Sequence, residues 1–369
     1  MMAPRVGFED LVPVEQEDGP SPVVAIRYRQ EYVEAMNLFR AVLVANEMSQ
    51  RALELTAEAV DMNPANYTAW EFRRRCLKAL GSDLHAELRF TEETAYDNPK
   101  NYQIWFHRRA VVELLGDPAA ELAFINNVLT EDMKNYHAWT YRQWVLMTFG
   151  DSHGLWAGEL ESVHHMLQLD HYNNSAWNQR WFTVSHIHRA SWPLPAADVR
   201  RELDYAFAWL EKDIHNESPW TYIRGLMRTR APTAAPLPTV PASDVAPPLT
   251  PGSSGGGNGG NEKEATWRFR SFPSLKRKML ALKAGSEAEC VPLLGLLLEA
   301  YECDMHAVES GGGGALAGEG DDGESEGDAA AALVAAEEVC RALESADAVR
   351  AGYWQRRRTR LGRALGSIL

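Results

Sequence analysis

Apolar residues recur along this chain at helical spacing, in short blocks with polar turns between them. Leu122, Ile125, Leu129 and Met133 fall on one helical face, as do Leu203, Phe207, Leu210 and Ile214. A second class of block carries Trp70, Arg73 and Leu77 at i, i+3 and i+7, repeated by Trp105, Arg108 and Val112. Between the two classes the chain is punctuated, twice by Asn-Pro, and Asn66, Asn101 and Asn135 stand where the next helix needs an N-cap. The pattern predicts pairs of antiparallel helices, preceded by one long helix over about 28–60.

The pairs repeat. "NPANYTAWEFRR" (63–74), "NPKNYQIWFHRR" (98–109), "DMKNYHAWTYRQ" (132–143) and "YNNSAWNQRW" (172–181) are copies, and "HNESPWTYIR" (215–224) is a degenerate fifth. Their tryptophans, Trp70, Trp105, Trp139, Trp177 and Trp220, are spaced by 35, 34, 38 and 43 residues. A period near 35 marks stacked helical hairpins, each needing its neighbours to cover its apolar face. The fold class expected is all-α, an α-α superhelix or solenoid of hairpins.

Composition adds domain limits. Residues 1–22 are acidic and Pro-rich and read as a flexible leader. Residues 23–230 hold repeats 1–5. Residues 231–251 contain seven prolines followed by "GSSGGGNGG", so 231–265 reads as a disordered insertion. Residues 266–309 read as a further helical repeat, 310–328 as a Gly/acidic disordered loop, and 329–369 as C-terminal helices. The net charge of −14 argues against nucleic-acid binding. With no apolar run near 20 residues, stable membrane insertion is not expected, and with no signal-peptide core a cytoplasmic location is. Cys76, Cys290, Cys303 and Cys340 form no C-x-x-C pair and read as reduced, mostly packed thiols.

Comparison between the copies separates scaffold from chemistry. Whatever recurs is explained by architecture: the five tryptophans pack between hairpins, and Arg73, Arg108, Arg142 and Arg180 pair with a neighbouring turn or carboxylate. Asn and Tyr recur in three copies and take the same structural reading. Five residues before Trp, the copies hold Ala65, Lys100, Lys134, Tyr172 and His215; two before it, the first four hold Thr68, Gln103, His137 and Ser175. The hairpin therefore does not demand Lys100 or His137. Equivalent turns lie side by side at one edge of a solenoid, so Lys100, Lys134, Tyr102, Tyr136 and His137 form a basic, phenol-rich rim suited to a phosphate. Lysine in a turn is also commonly just solvated. His164-His165 and His186-x-His188 lack a third metal ligand at suitable spacing. No P-loop, H-E-x-x-H or nucleophile elbow is present, so any catalysis needs a partner.

The serial motifs closely resemble the α subunit shared by protein farnesyltransferase and protein geranylgeranyltransferase type I, over 28–230 and more loosely over 290–366. The resemblance implies a crescent of hairpins wrapped around a β subunit. It implies a heterodimer that moves a farnesyl or geranylgeranyl group from its diphosphate to the cysteine of a C-terminal CaaX box, on proteins such as small GTPases. Zinc is then held by β rather than by this chain, and magnesium is expected with the diphosphate for farnesyl transfer. Carried onto this sequence, the resemblance makes Lys100 the catalytic lysine that reaches the diphosphate, with Tyr102 on the same edge. It puts Asn135, Tyr136 and His137 near the diphosphate and the peptide. Repeat four departs from the pattern with Tyr172 where a basic residue is common. Two alternatives stand beside this reading. A Rab geranylgeranyltransferase α subunit has repeats without the serial "KNY". A tetratricopeptide-like scaffold has the period, but its W-x₂-L-G-x₂-Y arrangement is missing here.

Overall fold

The computed structural model describes residues 6–21, 23–24, 26–191, 193–228, 268–286, 288–309 and 329–368. Both expected disordered stretches, 231–265 and 310–328, lie outside them. Every regular element among the described residues is helical. They divide into two compact units, one ending at Leu155 and the other starting at Trp156.

The first unit begins with α1 (Gln30–Ala45) and α2 (Gln50–Met62). One long helix was expected here. Instead α1 stops where Asn46 adopts a left-handed conformation (φ 50°), and the Ser49 hydroxyl caps α2 by accepting from the Ala52 N–H. Short polar side chains that bond their own backbone end a helix even where apolar periodicity continues. Residues before α1, expected as a flexible leader, are anchored: Phe8 is buried and Arg51 donates to the Gly7 carbonyl at 2.6 Å and to Asp10 at 2.5 Å. Arg40 reaches the Val14 carbonyl at 2.8 Å.

Three hairpins follow in this unit. They pair α2 with α3 (Tyr67–Leu80), α4 (Leu84–Asp97) with α5 (Tyr102–Leu115), and α6 (Glu121–Glu131) with α7 (Tyr136–His153). The second helices α3, α5 and α7 stack in sequence. Asn66, Asn101 and Asn135 cap them as expected, each accepting a backbone N–H through its side-chain oxygen. Gly81 and Gly116 close α3 and α5 at φ +60° and +71°, where a Cβ would be strained.

In the second unit α8 (Glu159–Leu169) pairs with α9 (Asn174–Ile187), and α10 (Ala196–Leu210) with α11 (Glu217–Leu226). After the undescribed stretch the chain resumes at Arg268, whose N–H donates to the Met227 carbonyl at 3.0 Å. Then come α12 (Pro273–Gly285), α13 (Val291–Glu309), α14 (Ala329–Ala346) and α15 (Ala351–Ile368), with α14 packed against both α13 and α15. Leu293, Leu294, Leu296, Leu297 and Leu298 are all buried, so α13 is the central helix of this group. Cys76, Cys290 and Cys340 are buried, and none of the four cysteines is in a disulfide.

Candidate functional site

Each hairpin turn is pinned by its tryptophan. The indole N–H donates to the carbonyl six residues earlier in all five repeats: Trp70 to Pro64, Trp105 to Pro99, Trp139 to Met133, Trp177 to His171 and Trp220 to Ile214, at 2.8–3.0 Å. These rings are buried. The tryptophan therefore packs the joint and also fixes the path of the turn before its helix.

The arginines bind successive hairpins. Arg73 on α3 grips Glu87 on α4 at 2.6 and 2.7 Å, Arg108 on α5 grips Glu121 on α6 at 2.8 Å, and Arg180 on α9 grips Glu202 on α10 at 2.7 and 2.9 Å. Arg142 donates to Asn126 at 2.8 Å and Arg224 to Glu299 at 2.9 Å. A buried guanidinium needs partners for its remaining donors. Arg108 finds them in the Leu88 carbonyl and the Thr91 hydroxyl, with its cation over the Phe124 ring. The carboxylates are shared. Twenty residues after each, a donor on the second helix of the same hairpin completes them: His107 for Glu87, Tyr141 for Glu121 and Tyr222 for Glu202, and Gln179 donates to Glu159 at the same offset. Sequence reasoning missed these acids and donors; the constant offset of 20 was the signal available.

His107 is wholly buried. Its Nε2 lies 2.7 Å from Glu87 and its Nδ1 3.4 Å from Arg74, an arrangement that suits the neutral ring donating to the carboxylate. Burial depresses its pKa, and the bond to Glu87 only partly offsets that. Burial would raise the Glu87 pKa, but bonds from His107 and Arg73 outweigh it and hold the carboxyl below its usual range.

Outside these joints, the turn edge of the second and third hairpins gathers the candidate residues. Asn101 and Asn135 cap α5 and α7, and the Asn135 amide also donates to the Pro99 carbonyl at 3.2 Å, tying one turn to the next. That link sets the residues after each cap side by side. Tyr102 and Tyr136, the first helical residues, are both 66% exposed. His137 stands between them, with ring centroids 4.3 Å from Tyr102 and 5.5 Å from Tyr136, and lies nearly parallel to the Trp105 indole at 6.4 Å. Its imidazole is hydrogen-bonded to the Lys100 main chain, and burial lowers its pKa, so the neutral form is favoured. The Lys100 side chain is 76% exposed, its ammonium 3.6 Å from Asp132. Lys134 lies on the same edge, exposed, with its N–H bonded to Asp132 at 3.1 Å.

The structure thus brings Lys100, Tyr102, Asn135, Tyr136 and His137 into one patch and keeps the repeated Trp and Arg side chains in the joints. An exposed ammonium beside two accessible phenols and an imidazole presents donors to an oxyanion. Two of the histidines set aside as metal ligands have other partners: His164 bonds the Tyr205 hydroxyl at 2.9 Å, and His188 lies 3.5 Å from Asp198. Among the described residues no group of three or more His, Cys, Asp or Glu side chains could hold a metal ion.

Comparison with known proteins agrees with this organisation. Residues 49–80, 84–115, 118–149, 156–187 and 199–230 each match the protein prenyltransferase alpha subunit repeat. Over 227 residues the chain is 49% identical to the protein farnesyltransferase/geranylgeranyltransferase type-1 subunit alpha of Pisum sativum, covering 61% of this chain and 66% of that one. The Dictyostelium discoideum protein of the same name is 42% identical over 231 residues, covering 61% and 70%. The chain therefore spans about two thirds of the length of these relatives. The geranylgeranyl transferase type-2 subunit alpha of Sus scrofa is more distant, at 30% over 187 residues and 25% of its length. A chain of the solved Candida albicans protein geranylgeranyltransferase-I complexed with GGPP superposes with a TM-score of 0.70 at 25% identity, covering 97% of this chain and 99% of that one. With five ordered repeat matches and relatives of this identity and coverage, the chain belongs to the protein farnesyltransferase/geranylgeranyltransferase type-1 alpha subunit family.

Proposed function

We propose that this chain is the α subunit of a heterodimeric CaaX prenyltransferase and that Lys100 is its catalytic residue. The observation that carries this reading is the rim itself: the exposed Lys100 ammonium, two exposed phenols and a half-buried imidazole on adjacent turns of family repeats. The Candida neighbour is a complex with GGPP, which supports an isoprenoid diphosphate as the ligand of the equivalent edge here. In the reaction the substrate cysteine sulfur forms a bond to C1 of the isoprenoid while the C1–O bond breaks and diphosphate departs. Negative charge grows on that leaving group, and an ammonium aimed at it stabilises the transition state more than the ground state.

Tyr102 and Tyr136 offer phenol donors to the same oxyanion. Asn135 holds the two turns in register, and His137, favoured in its neutral form, keeps the Tyr102 ring in place. A zinc ion on the β subunit would lower the pKa of the substrate thiol, and magnesium would accompany the diphosphate in farnesyl transfer. The ligand-bearing partners are a β subunit and CaaX proteins such as small GTPases, and the site of action is the cytoplasm. No described helix is long and apolar enough to cross a membrane.

The test is Lys100→Ala in the complex with a β subunit. Single-turnover transfer should fall on the order of 10²–10³, while the 1:1 complex still assembles, since the side chain is exposed and its ion pair among the described residues is to Asp132. An unchanged rate would remove Lys100 from the mechanism.

A further inference from the structure

The residue seven before each tryptophan is Asn63, Asn98, Asp132, Asp170 or Asp213. In four of these turns its side-chain oxygen accepts the N–H two residues on: from Ala65 at 3.1 Å, Lys134 at 3.1 Å, Tyr172 at 2.9 Å and His215 at 2.8 Å. Asn63 does this as well as the aspartates do, so the turn itself does not require a negative charge. In two places the spare oxygen nevertheless reaches back to the preceding hairpin. Asp132 Oδ2 lies 3.6 Å from the Lys100 ammonium, and Asp213 Oδ2 accepts from the Tyr172 hydroxyl. Both partners stand five before their own tryptophan. In these two turns the fold therefore holds one carboxylate oxygen with the turn and aims the other at the side chain the previous turn presents.

We propose that Asp132 is a positioning residue for Lys100, keeping the ammonium on the rim and sharing it with bound diphosphate until charge builds on the leaving group. This rests on the assignment of Lys100 above. An exposed ion pair contributes little to folding, so the pair matters through where it leaves the lysine. While Asp132 holds the ammonium, it withdraws part of that charge from bound diphosphate and so weakens ground-state binding. The ammonium is meanwhile kept where charge develops on the leaving group, so the transition state is spared the cost of ordering that side chain, which raises the rate at saturation.

The experiment uses the complex with β, farnesyl diphosphate as the probe for binding, and single-turnover transfer to a CaaX peptide. The variants are Asp132→Asn, Lys100→Ala, the double variant and Asp213→Asn. Asn keeps the turn bond, as Asn63 does. Asp132→Asn should tighten farnesyl diphosphate binding roughly two- to fivefold and slow saturated transfer by a similar factor, leaving their ratio nearly constant. In the Lys100→Ala background the same substitution should change neither quantity, and Asp213→Asn should change neither in the native background. Equal effects of Asp132→Asn with and without Lys100, or no effect with Lys100 present, would overturn the proposal. Normal transfer by Lys100→Ala would instead overturn the lysine assignment on which it rests.

Discussion

The turn edge of hairpins two and three and that of hairpins four and five are built alike and present different chemistry. In both, a tryptophan indole fixes the carbonyl six residues back, an asparagine caps the second helix, and its amide crosses to the neighbouring turn: Asn135 to Pro99, and Asn216 to His171. In both, an aspartate of the later turn faces the side chain five before the earlier tryptophan, as an ion pair in one case and a hydrogen bond in the other. One edge offers an exposed ammonium there. The other offers Tyr172, whose phenol is tied to Asp213 with its pKa raised, first by that bond and then by burial and nearby carboxylates. The scaffold thus delivers a side chain to a defined place and leaves its identity free, so the chemistry each edge presents is set by which residue occupies that place rather than by the hairpin.

The strongest challenge to this division comes from the tryptophans. Trp105→Ala and Trp177→Ala should each cost roughly 3–5 kcal/mol by leaving a cavity, measured by denaturant unfolding, with no distinction between the edge that carries Lys100 and the edge that does not. If Trp105→Ala folded normally yet lost isoprenoid binding, the scaffold assignment would be wrong for that residue.

A smaller effect separates joints rather than edges. His107 and Gln179 occupy matching positions and donate to Glu87 and Glu159, but only His107 has a titratable side chain. Its folded value is lowered to about 4, below the unfolded value of about 6.5. The unfolded chain therefore takes up this proton first. The stability is complete above pH of about 6.5 and drains away as pH falls toward the folded value, by up to about 3 kcal/mol. His107→Gln should flatten that window relative to the native chain in urea unfolding at stepped pH; identical acid profiles would mean the ring is not held neutral.

The smallest expected effect is in the caps. Asn101→Ala and Asn173→Ala each remove an acceptor for helix N–H groups, and each should cost about 1 kcal/mol. A much larger loss at Asn101, read by thermal unfolding, would mean that its turn is strained in a way its counterpart is not.

Much of this was readable before the structure because the repeats act as internal controls. The five hairpins, the caps at Asn66, Asn101 and Asn135 and the outward Lys100 all follow from what recurs and what does not. The shared carboxylates were not seen, because Glu87, Glu121 and Glu202 follow their arginines by 14, 13 and 22 residues, and loops of unequal length hide a constant contact. They align only when counted forward by 20 to the donor on the next helix. The break between α1 and α2 was hidden for a different reason: apolar periodicity runs through it, and Asn46 and Ser49 outweigh that signal locally.

The bond from the Arg268 N–H to the Met227 carbonyl has a consequence for how this chain tolerates new sequence. It brings the two flanks of the Pro/Gly-rich stretch together, and Arg268 secures its own side by donating to the Leu194 carbonyl at 2.8 Å. Exit and re-entry are adjacent, and a flexible loop joining adjacent ends costs only about 0.6 kcal/mol more per doubling of its length. The junction works as a splice port, where a tag or reporter can be grafted at little cost to the α10–α11 hairpin beside it.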